Sequence, residues 1–233
     1  EFWTLSINFQ DNKKRSIVSS ISQLNGKKIE KFSFRNKNEI DSAIAEIKDK
    51  KFNISDISSK VVSRNPSGPF TTSTLQQVAS SRLGFGASRT MQIAQRLYQG
   101  IEIDGETIGL ITYMRTDGTN LSVDAISDFR DFVKNNYGND YLPEKPLNYS
   151  GKKAKNAQEA HEAIRPTDIS RTPDSLKKYL SSDQQKLYNL IWGRALSSQM
   201  ETAKFDRNTI TVTTEDNATI CKTSGSVLKF DGF

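Results

Sequence analysis

The sequence of 233 residues contains a single cysteine, Cys221, and a single histidine, His161. One cysteine cannot form an internal disulfide, and it excludes a zinc site built from several cysteines within this chain. No apolar run approaches the roughly 20 residues of a membrane-spanning helix, and no signal peptide is visible. We therefore expect a protein without a membrane partner that needs no oxidising compartment, with Cys221 as a buried structural thiol.

An excess of basic over acidic residues gives the chain a formal net charge of +6 and a pI of about 9.3. This balance favours polyanionic partners, nucleic acid first, although charge alone fits an ordinary basic protein equally well. Hydrophobic residues make up 35% and charged residues 26%, which permits a packed core and argues against wholesale disorder. The length suits one large domain or two small ones.

The order of predicted elements along the chain is β, then α, then β. Strand-like alternation dominates residues 1–65, apart from the helical pattern NKNEIDSAIAEIKDK, for which Asn38 is the expected N-cap. Prolines and a glycine in NPSGPF end this region, and strands return over residues 207–230. The pattern predicts an α+β fold in which a mainly helical domain, residues 71–200, is inserted in a β-rich domain formed by residues 1–70 and 201–233.

Helical spacing and capping residues divide the middle of the chain into several helices. They are predicted at residues 71–83, 88–98, 122–137 and 182–199, with a short helical piece in AQEAHEAI that stops at Pro166. The chain begins with EFWTLSINF, without an initiator methionine, and ends at FDGF just after a strand-like stretch. We expect both ends to lie within a larger protein.

A tyrosine at the end of a predicted hydrophobic strand, in GLITYMRTDGTNLS, is the first candidate for chemistry. In an extended stretch, Tyr113 and Arg115 point to the same side. A phenol has a pKa of about 10 and is a poor nucleophile at neutral pH, but a neighbouring guanidinium favours the phenolate and can hold a phosphate oxygen. The pair suits attack on a phosphodiester, although a bare Tyr-X-Arg is more often a strand aromatic beside a surface charge.

Two other segments could also serve a phosphate. In AQEAHEAIRPTD, a helical turn would place His161 and Arg165 on one face, and an imidazole can donate to phosphate or exchange a proton near pH 7. In PSGPFTTSTLQQ, hydroxyl residues including Thr72 and Ser73 open a helix whose N-terminal amides suit an anion. Taken alone, each segment is explained more simply by structural hydrogen bonding or capping.

Taken together and in this order, GPFTTSTLQQVASSRLGFG, GLITYMRTDGTNLS and NAQEAHEAIRPTD resemble the three signature segments of type IA DNA topoisomerases. The resemblance covers essentially the whole chain. With Met114 between the tyrosine and the arginine, the motif resembles that of bacterial topoisomerase I rather than that of topoisomerase III, which tends to carry proline at this position. Gly118 departs from the serine usual in the family, so no contact from that side chain is implied.

The resemblance implies a role for each matched residue. Tyr113 would attack a backbone phosphate of single-stranded DNA, form a 5′-phosphotyrosine and release a 3′-hydroxyl. Arg115 would position the scissile phosphate and stabilise its charge, and His161 would contact that phosphate or assist proton movement. DNA-binding roles are implied for four further residues: Thr72, Ser73, Asp117 and Arg165. Of these, Asp117 would orient a neighbouring base or arginine.

The resemblance also implies a reaction cycle and its partners. The other strand would pass through the protein-bridged break before religation, driven by supercoil strain without nucleotide hydrolysis, in the cytoplasm and in association with the nucleoid. The family carries its Mg²⁺ site and a catalytic lysine in an N-terminal Toprim domain. This chain is expected to begin after that domain, so we expect no metal in the chain and no activity without the rest of the polypeptide. The β-rich flanks would form the arch domain and the helical middle the gate domain.

Three alternatives stay open at this point. A non-catalytic nucleic-acid-binding module with a winged-helix-like core is supported by the charge and by the helix pair after Pro69, and it predicts that Tyr113, Arg115 and His161 do not converge. A tyrosine recombinase also attacks through tyrosine but makes a 3′-phosphotyrosine, and it carries its arginines and histidines before the tyrosine, whereas here they follow. A purely structural β-rich scaffold leaves the three segments unexplained.

Overall fold

The structure is a computed structural model that describes residues 2–149 and 162–233. The chain divides into two compact units. The first comprises the residues up to Ser63 together with Lys204–Phe230, and the second comprises Arg64–Ala203 together with Asp231–Phe233. The polypeptide therefore leaves the first unit at residue 63, builds most of the second and then returns to the first.

Helices and strands are both present, as the sequence predicts. The strands are β1 (Ser6–Gln10), β2 (Ser16–Leu24), β3 (Lys27–Lys28), β4 (Phe52–Arg64), β5 (Ile101–Ile103), β6 (Glu106–Ile108), β7 (Ala203–Thr214) and β8 (Ile220–Phe230). The helices are α1 (Lys37–Ile47), α2 (Thr72–Leu83), α3 (Ala87–Gln99), α4 (Val123–Asn136) and α5 (Ser182–Ser197), with a 3-10 turn at Asn139–Tyr141. No helix among the described residues combines the length and apolar character needed to cross a membrane.

One β-sheet, whose strand order differs from the order along the chain, and one helix form the first unit. In the described part of the chain, this sheet has six strands in the order β1-β2-β8-β7-β4, with β3 paired to β2. The antiparallel register pairs Ile21 with Cys221 and Cys221 with Val212, and these three side chains pack with Ile47 of α1. Cys221 is buried, which raises the pKa of its thiol to about 11. The expected burial of Cys221 is confirmed.

The N-cap of helix α1 lies two residues before the predicted one. The cap is Asn36, whose Oδ1 accepts a hydrogen bond of 3.0 Å from Glu39 N, while Glu39 Oε2 accepts one of 2.8 Å from Arg35 N. The prediction of Asn38 was wrong: Asn36 caps Glu39 N, and the Asn36 side-chain amide donates in return to Glu39 Oε1 at 3.0 Å. In the helix, Ile40 and Ala43 are buried against Phe34.

Helices α2, α3 and α5 pack together with loop residues in the second unit. Their shared core contains fully buried side chains from helices and loops: Leu75, Leu97, Ile111, Met114, Ile164 and Ile191. A second cluster joins Phe129 and Val133 of α4 to Leu196 of α5. The four long helices predicted for this region are confirmed to within two residues at each end.

Candidate active site

The segment that carries Tyr113 is a loop. Strand β6 ends at Ile108, and beyond it Ile111 forms an isolated bridge with Pro166. The prediction of a strand running up to Tyr113 was therefore wrong. After Ile108, Leu110 N donates to Leu97 O of α3, Thr112 N donates to Arg165 O and Thr116 N donates to Thr72 Oγ1. These peptide groups are therefore hydrogen-bonded without forming a sheet. Residues 109–118 are called the tyrosine loop below.

Side chains of the tyrosine loop alternate between core and solvent. Met114 is fully buried in the core of the second unit, and Thr116 is also buried. Tyr113, Arg115 and Asp117 are exposed, with 40% of Tyr113 accessible. Three of the residues singled out from the sequence are thus accessible within one five-residue stretch whose intervening side chains anchor it to the core.

On the N-terminal side of Tyr113, Thr112 joins the loop to the segment that follows His161. Thr112 N donates to Arg165 O at 2.9 Å, and Thr112 Oγ1 donates to Ala163 O at 2.7 Å. Arg165 N donates in return to Thr112 Oγ1 at 3.0 Å. The structure therefore brings two of the three sequence segments into direct backbone contact, although His161 itself lies outside the described residues.

On the C-terminal side of Tyr113, Thr72 joins the loop to the first turn of α2. Thr72 Oγ1 accepts a hydrogen bond of 2.8 Å from Thr116 N and donates to Met114 O at 2.8 Å, with Thr116 O at 3.1 Å as an alternative acceptor. Thr72 N also donates to Thr116 O at 2.9 Å. The backbone on both sides of Arg115 is thus bonded to one threonine of the third sequence segment.

Hydroxyl groups at the start of α2 also cap the helix. Thr71 Oγ1 accepts from Thr74 N at 3.3 Å, and Thr74 Oγ1 accepts from Thr71 N at 2.9 Å. Ser73 is exposed, and its Oγ lies 3.2 Å from Thr71 Oγ1. DNA binding by Thr72 and Ser73 stays a prediction, but the Thr72 hydroxyl already has protein partners.

Arg165 forms a two-pronged ion pair with Glu162. Arg165 Nε donates to Glu162 Oε1 at 2.7 Å and Nη2 donates to Oε2 at 3.0 Å, and the Arg165 side chain is only 14% exposed. Glu162 Oε1 also accepts at 2.7 Å from the backbone N of Ser122, the N-cap residue of α4. Burial raises the pKa of the Glu162 carboxyl, but the hydrogen bonds from Arg165 and Ser122 outweigh it, so this pKa is lowered from its usual value.

The described end of the predicted helical piece AQEAHEAI is extended. Ala163 N donates to Asn120 O at 2.9 Å, and Ile164 forms a bridge with Phe70. For residues 162–164 the helix prediction was wrong, because tertiary backbone pairing outweighs the helical pattern. A helical turn therefore does not place Arg165 on one face with His161. Residues 157–161 of that piece lie outside the described residues.

Tyr98, near the C-terminal end of α3, contacts Tyr113 and was not singled out from the sequence. The two ring centroids are 5.4 Å apart with an interplanar angle of 66°. A Cβ atom on Gly109 would lie 2.8 Å from Tyr98 O, so the loop begins in close contact with this helix end. No pattern in the sequence links the two tyrosines, because the contact depends on how α3 packs against the loop.

Metal binding finds no support in the side chains of this site. Over residues 2–149 and 162–233, no group of three or more histidine, cysteine, aspartate or glutamate side chains is placed to hold a metal ion. The residues that the structure describes therefore provide no fitting group for Mg²⁺. The sequence resemblance places that site in another domain of the larger protein.

Comparison with known proteins matches the whole chain to one family. The family model described as DNA topoisomerase matches residues 1–233. The chain is 48% identical over 233 residues to DNA topoisomerase 1 of Rickettsia prowazekii and 44% identical to that of Haemophilus influenzae, covering 100% of this chain and 30% and 25% of those proteins. The structure of full-length topoisomerase I from Thermotoga maritima is similar over 99% of this chain and 36% of that chain, with 33% identity and a TM-score of 0.74.

Proposed function

Because the chain belongs to the bacterial type IA DNA topoisomerase family, we propose that it supplies the tyrosine nucleophile, Tyr113, for transient cleavage of one DNA strand. The observation that carries this proposal is the tyrosine loop, where Tyr113 and Arg115 are accessible and the neighbouring backbone is bonded to Arg165 on one side and to Thr72 on the other. Family membership argues against the recombinase and scaffold hypotheses.

In the proposed cleavage step, the Tyr113 oxygen attacks the phosphorus of a backbone phosphodiester. A bond from phosphorus to the tyrosine oxygen forms, and the bond to the 3′-oxygen breaks. The phenolic proton leaves the nucleophile, and the departing 3′-oxygen gains a proton to become a hydroxyl. One phosphodiester replaces another, so religation can reverse the step without nucleotide hydrolysis. Arg115, two residues from Tyr113, would stabilise the charge on the phosphate oxygens.

Three further residues keep proposed roles toward the DNA. Ala163 and Arg165 are bonded to Thr112, which supports placing His161, two residues before Ala163, near the scissile phosphate. Asp117 is exposed two residues beyond Arg115, where it could orient a base or an arginine. Arg165 would reach DNA only by sharing its guanidinium with Glu162.

Supercoiled and single-stranded DNA are the proposed substrates of the larger protein. The chain spans less than a third of the length of its curated relatives, so the whole cycle of cleavage, strand passage and religation is proposed for the complete polypeptide. Within it, the second unit would act as the gate domain and the first unit as part of the arch. The remaining polypeptide would provide the Mg²⁺ site.

Removing one phenolic oxygen tests the proposal in the full-length protein that contains this chain. Tyr113→Phe should abolish the covalent adduct with a single-stranded oligonucleotide, while DNA binding persists. Tyr98→Phe is the matched control, because it removes the same oxygen from the neighbouring ring and should leave the adduct intact. A 3′-end label should migrate with protein on a denaturing gel, and a 5′-end label should not. An adduct in Tyr113→Phe, or protein on the 5′-labelled piece, would refute the proposal.

A further inference from the structure

We infer that Thr72 is a positioning residue for strand cleavage and not a DNA ligand. This role rests on the proposed function, since the position of Tyr113 matters only if Tyr113 is the nucleophile. The sequence indicates Thr72 as a member of a phosphate-binding helix start. Its partners in the structure are instead peptide groups of the tyrosine loop.

The Thr72 hydroxyl is used as donor and acceptor by the loop. A threonine hydroxyl offers one hydrogen and two lone pairs. The hydrogen goes to Met114 O at 2.8 Å, and one lone pair accepts from Thr116 N at 2.8 Å. Contact of this hydroxyl with a phosphate oxygen would require it to donate, and therefore to release Met114 O. DNA binding and the observed loop geometry thus compete for the same hydrogen.

The two loop groups held by Thr72 lie on either side of Arg115, and Met114 directly follows Tyr113. The bonds therefore fix the backbone from which the nucleophile and the guanidinium both project. A third bond, from Thr72 N to Thr116 O, uses the main chain and survives any side-chain change except proline. Loss of the hydroxyl should consequently loosen the loop without detaching it from α2.

Positioning has a large effect on in-line attack at phosphorus. A displacement of the reacting atom by about 1 Å can reduce the rate on the order of a hundredfold. Thr72→Val keeps the size and branching of the side chain but removes the partner of Thr116 N and Met114 O. Thr72→Ser keeps the hydroxyl and removes a methyl group. The pair of variants therefore separates the hydrogen bonds from the packing.

The test compares both variants in the full-length protein, with Ser80→Ala as a matched control that removes an exposed hydroxyl from the same helix. Single-turnover cleavage is measured at saturating oligonucleotide, and the dissociation constant is measured in a Tyr113→Phe background. Thr72→Val should slow cleavage about tenfold to a hundredfold with an unchanged dissociation constant. Thr72→Ser should restore most of the rate, and Ser80→Ala should change neither quantity.

Several outcomes would overturn the inference. Cleavage by Thr72→Val at the unsubstituted rate, or a dissociation constant weakened by the same factor as cleavage, would each refute a positioning role. Cleavage by Thr72→Ser as slow as by Thr72→Val would show that the hydroxyl is not the essential group. If the unsubstituted protein forms no adduct through Tyr113, the proposed function itself fails; if the adduct forms and Thr72→Val does not slow it, only the role of Thr72 fails.

Discussion

The carboxylate of Glu162 joins Arg165 to Ser122 at the start of α4. Its side chain is 28% exposed and that of Arg165 is 14% exposed, so solvent screens the pair only in part. The pKa of Glu162 is lowered in the folded protein. Its contribution to stability is therefore fully present above the unfolded value of about 4.3 and is lost as the pH falls through the lower folded pKa.

Glu162→Gln should destabilise the second unit in a pH-dependent way. At pH 7 the substitution leaves the Arg165 guanidinium without its charged partner, which should reduce the free energy of unfolding by about 1–3 kcal/mol. The deficit should shrink as the pH falls below about 4, because the native carboxylate is then protonated too. Urea unfolding followed by Trp192 fluorescence in a Trp3→Phe background isolates this unit. A deficit that is the same at pH 7 and in acid would contradict the ionic role.

The helices of the second unit could be predicted because each carries its own local signals. Ser122 and Ser181 accept hydrogen bonds from the amides three residues on, and Gly84 ends α2 in the left-handed conformation with φ of 68°. These interactions span a few residues and are visible as sequence patterns. Residue type and the order of the motifs identified Tyr113 and Arg115 as candidates. Their catalytic roles stay predictions.

The tyrosine loop could not be predicted as a loop because its burial pattern imitates a strand. Met114 and Thr116 are buried while Tyr113 and Arg115 are exposed, as on a half-buried strand. Alternation follows from an extended backbone whatever partner that backbone has. The partner is Thr72, 42 residues from Met114 in sequence, and no local pattern specifies so distant a contact.

Met114 should be the apolar anchor of this loop. Met114→Ala should lower the free energy of unfolding by about 2–5 kcal/mol, because the side chain is fully buried. It should also slow strand cleavage, since the backbone beside Tyr113 is released from the core. Met114→Leu fills a similar volume and should cost less than about 1.5 kcal/mol with cleavage retained. Chemical unfolding and single-turnover cleavage measure the two effects, and rapid cleavage by a strongly destabilised Met114→Ala would separate the anchor from catalysis.

At the scale of the whole molecule, the second unit is nearly one continuous stretch of chain, while the first is formed by the stretches that flank it. The family match nevertheless extends over both, from residue 1 to residue 233. The curated relatives are more than three times as long as this chain. DNA binding and DNA relaxation can therefore be tested separately. The basic charge and the tyrosine loop belong to this chain, whereas the proposed metal site belongs to the remaining polypeptide.

We accordingly expect the 233-residue chain alone to bind single-stranded DNA weakly and to leave supercoiled DNA unrelaxed. The net charge of +6 should attract the phosphate backbone, and affinity should fall with salt, with a logarithmic slope of about −0.7 for each phosphate neutralised. Fluorescence anisotropy across a salt series measures this binding. Binding that ignores salt would contradict a phosphate-dominated interface.

Relaxation should be absent because it requires more than a nucleophile. The departing 3′-hydroxyl must be held in line with the phosphotyrosine until religation, and this holding is proposed for the rest of the polypeptide. Agarose electrophoresis of a supercoiled plasmid reads the outcome, with the full-length protein as the positive control. The chain carrying Tyr113→Phe identifies any contaminating topoisomerase, because such activity would persist in that variant. Relaxation by the unsubstituted chain that disappears in Tyr113→Phe would show that residues 1–233 contain the complete catalytic machinery. It would refute the proposal that relaxation requires the remaining polypeptide.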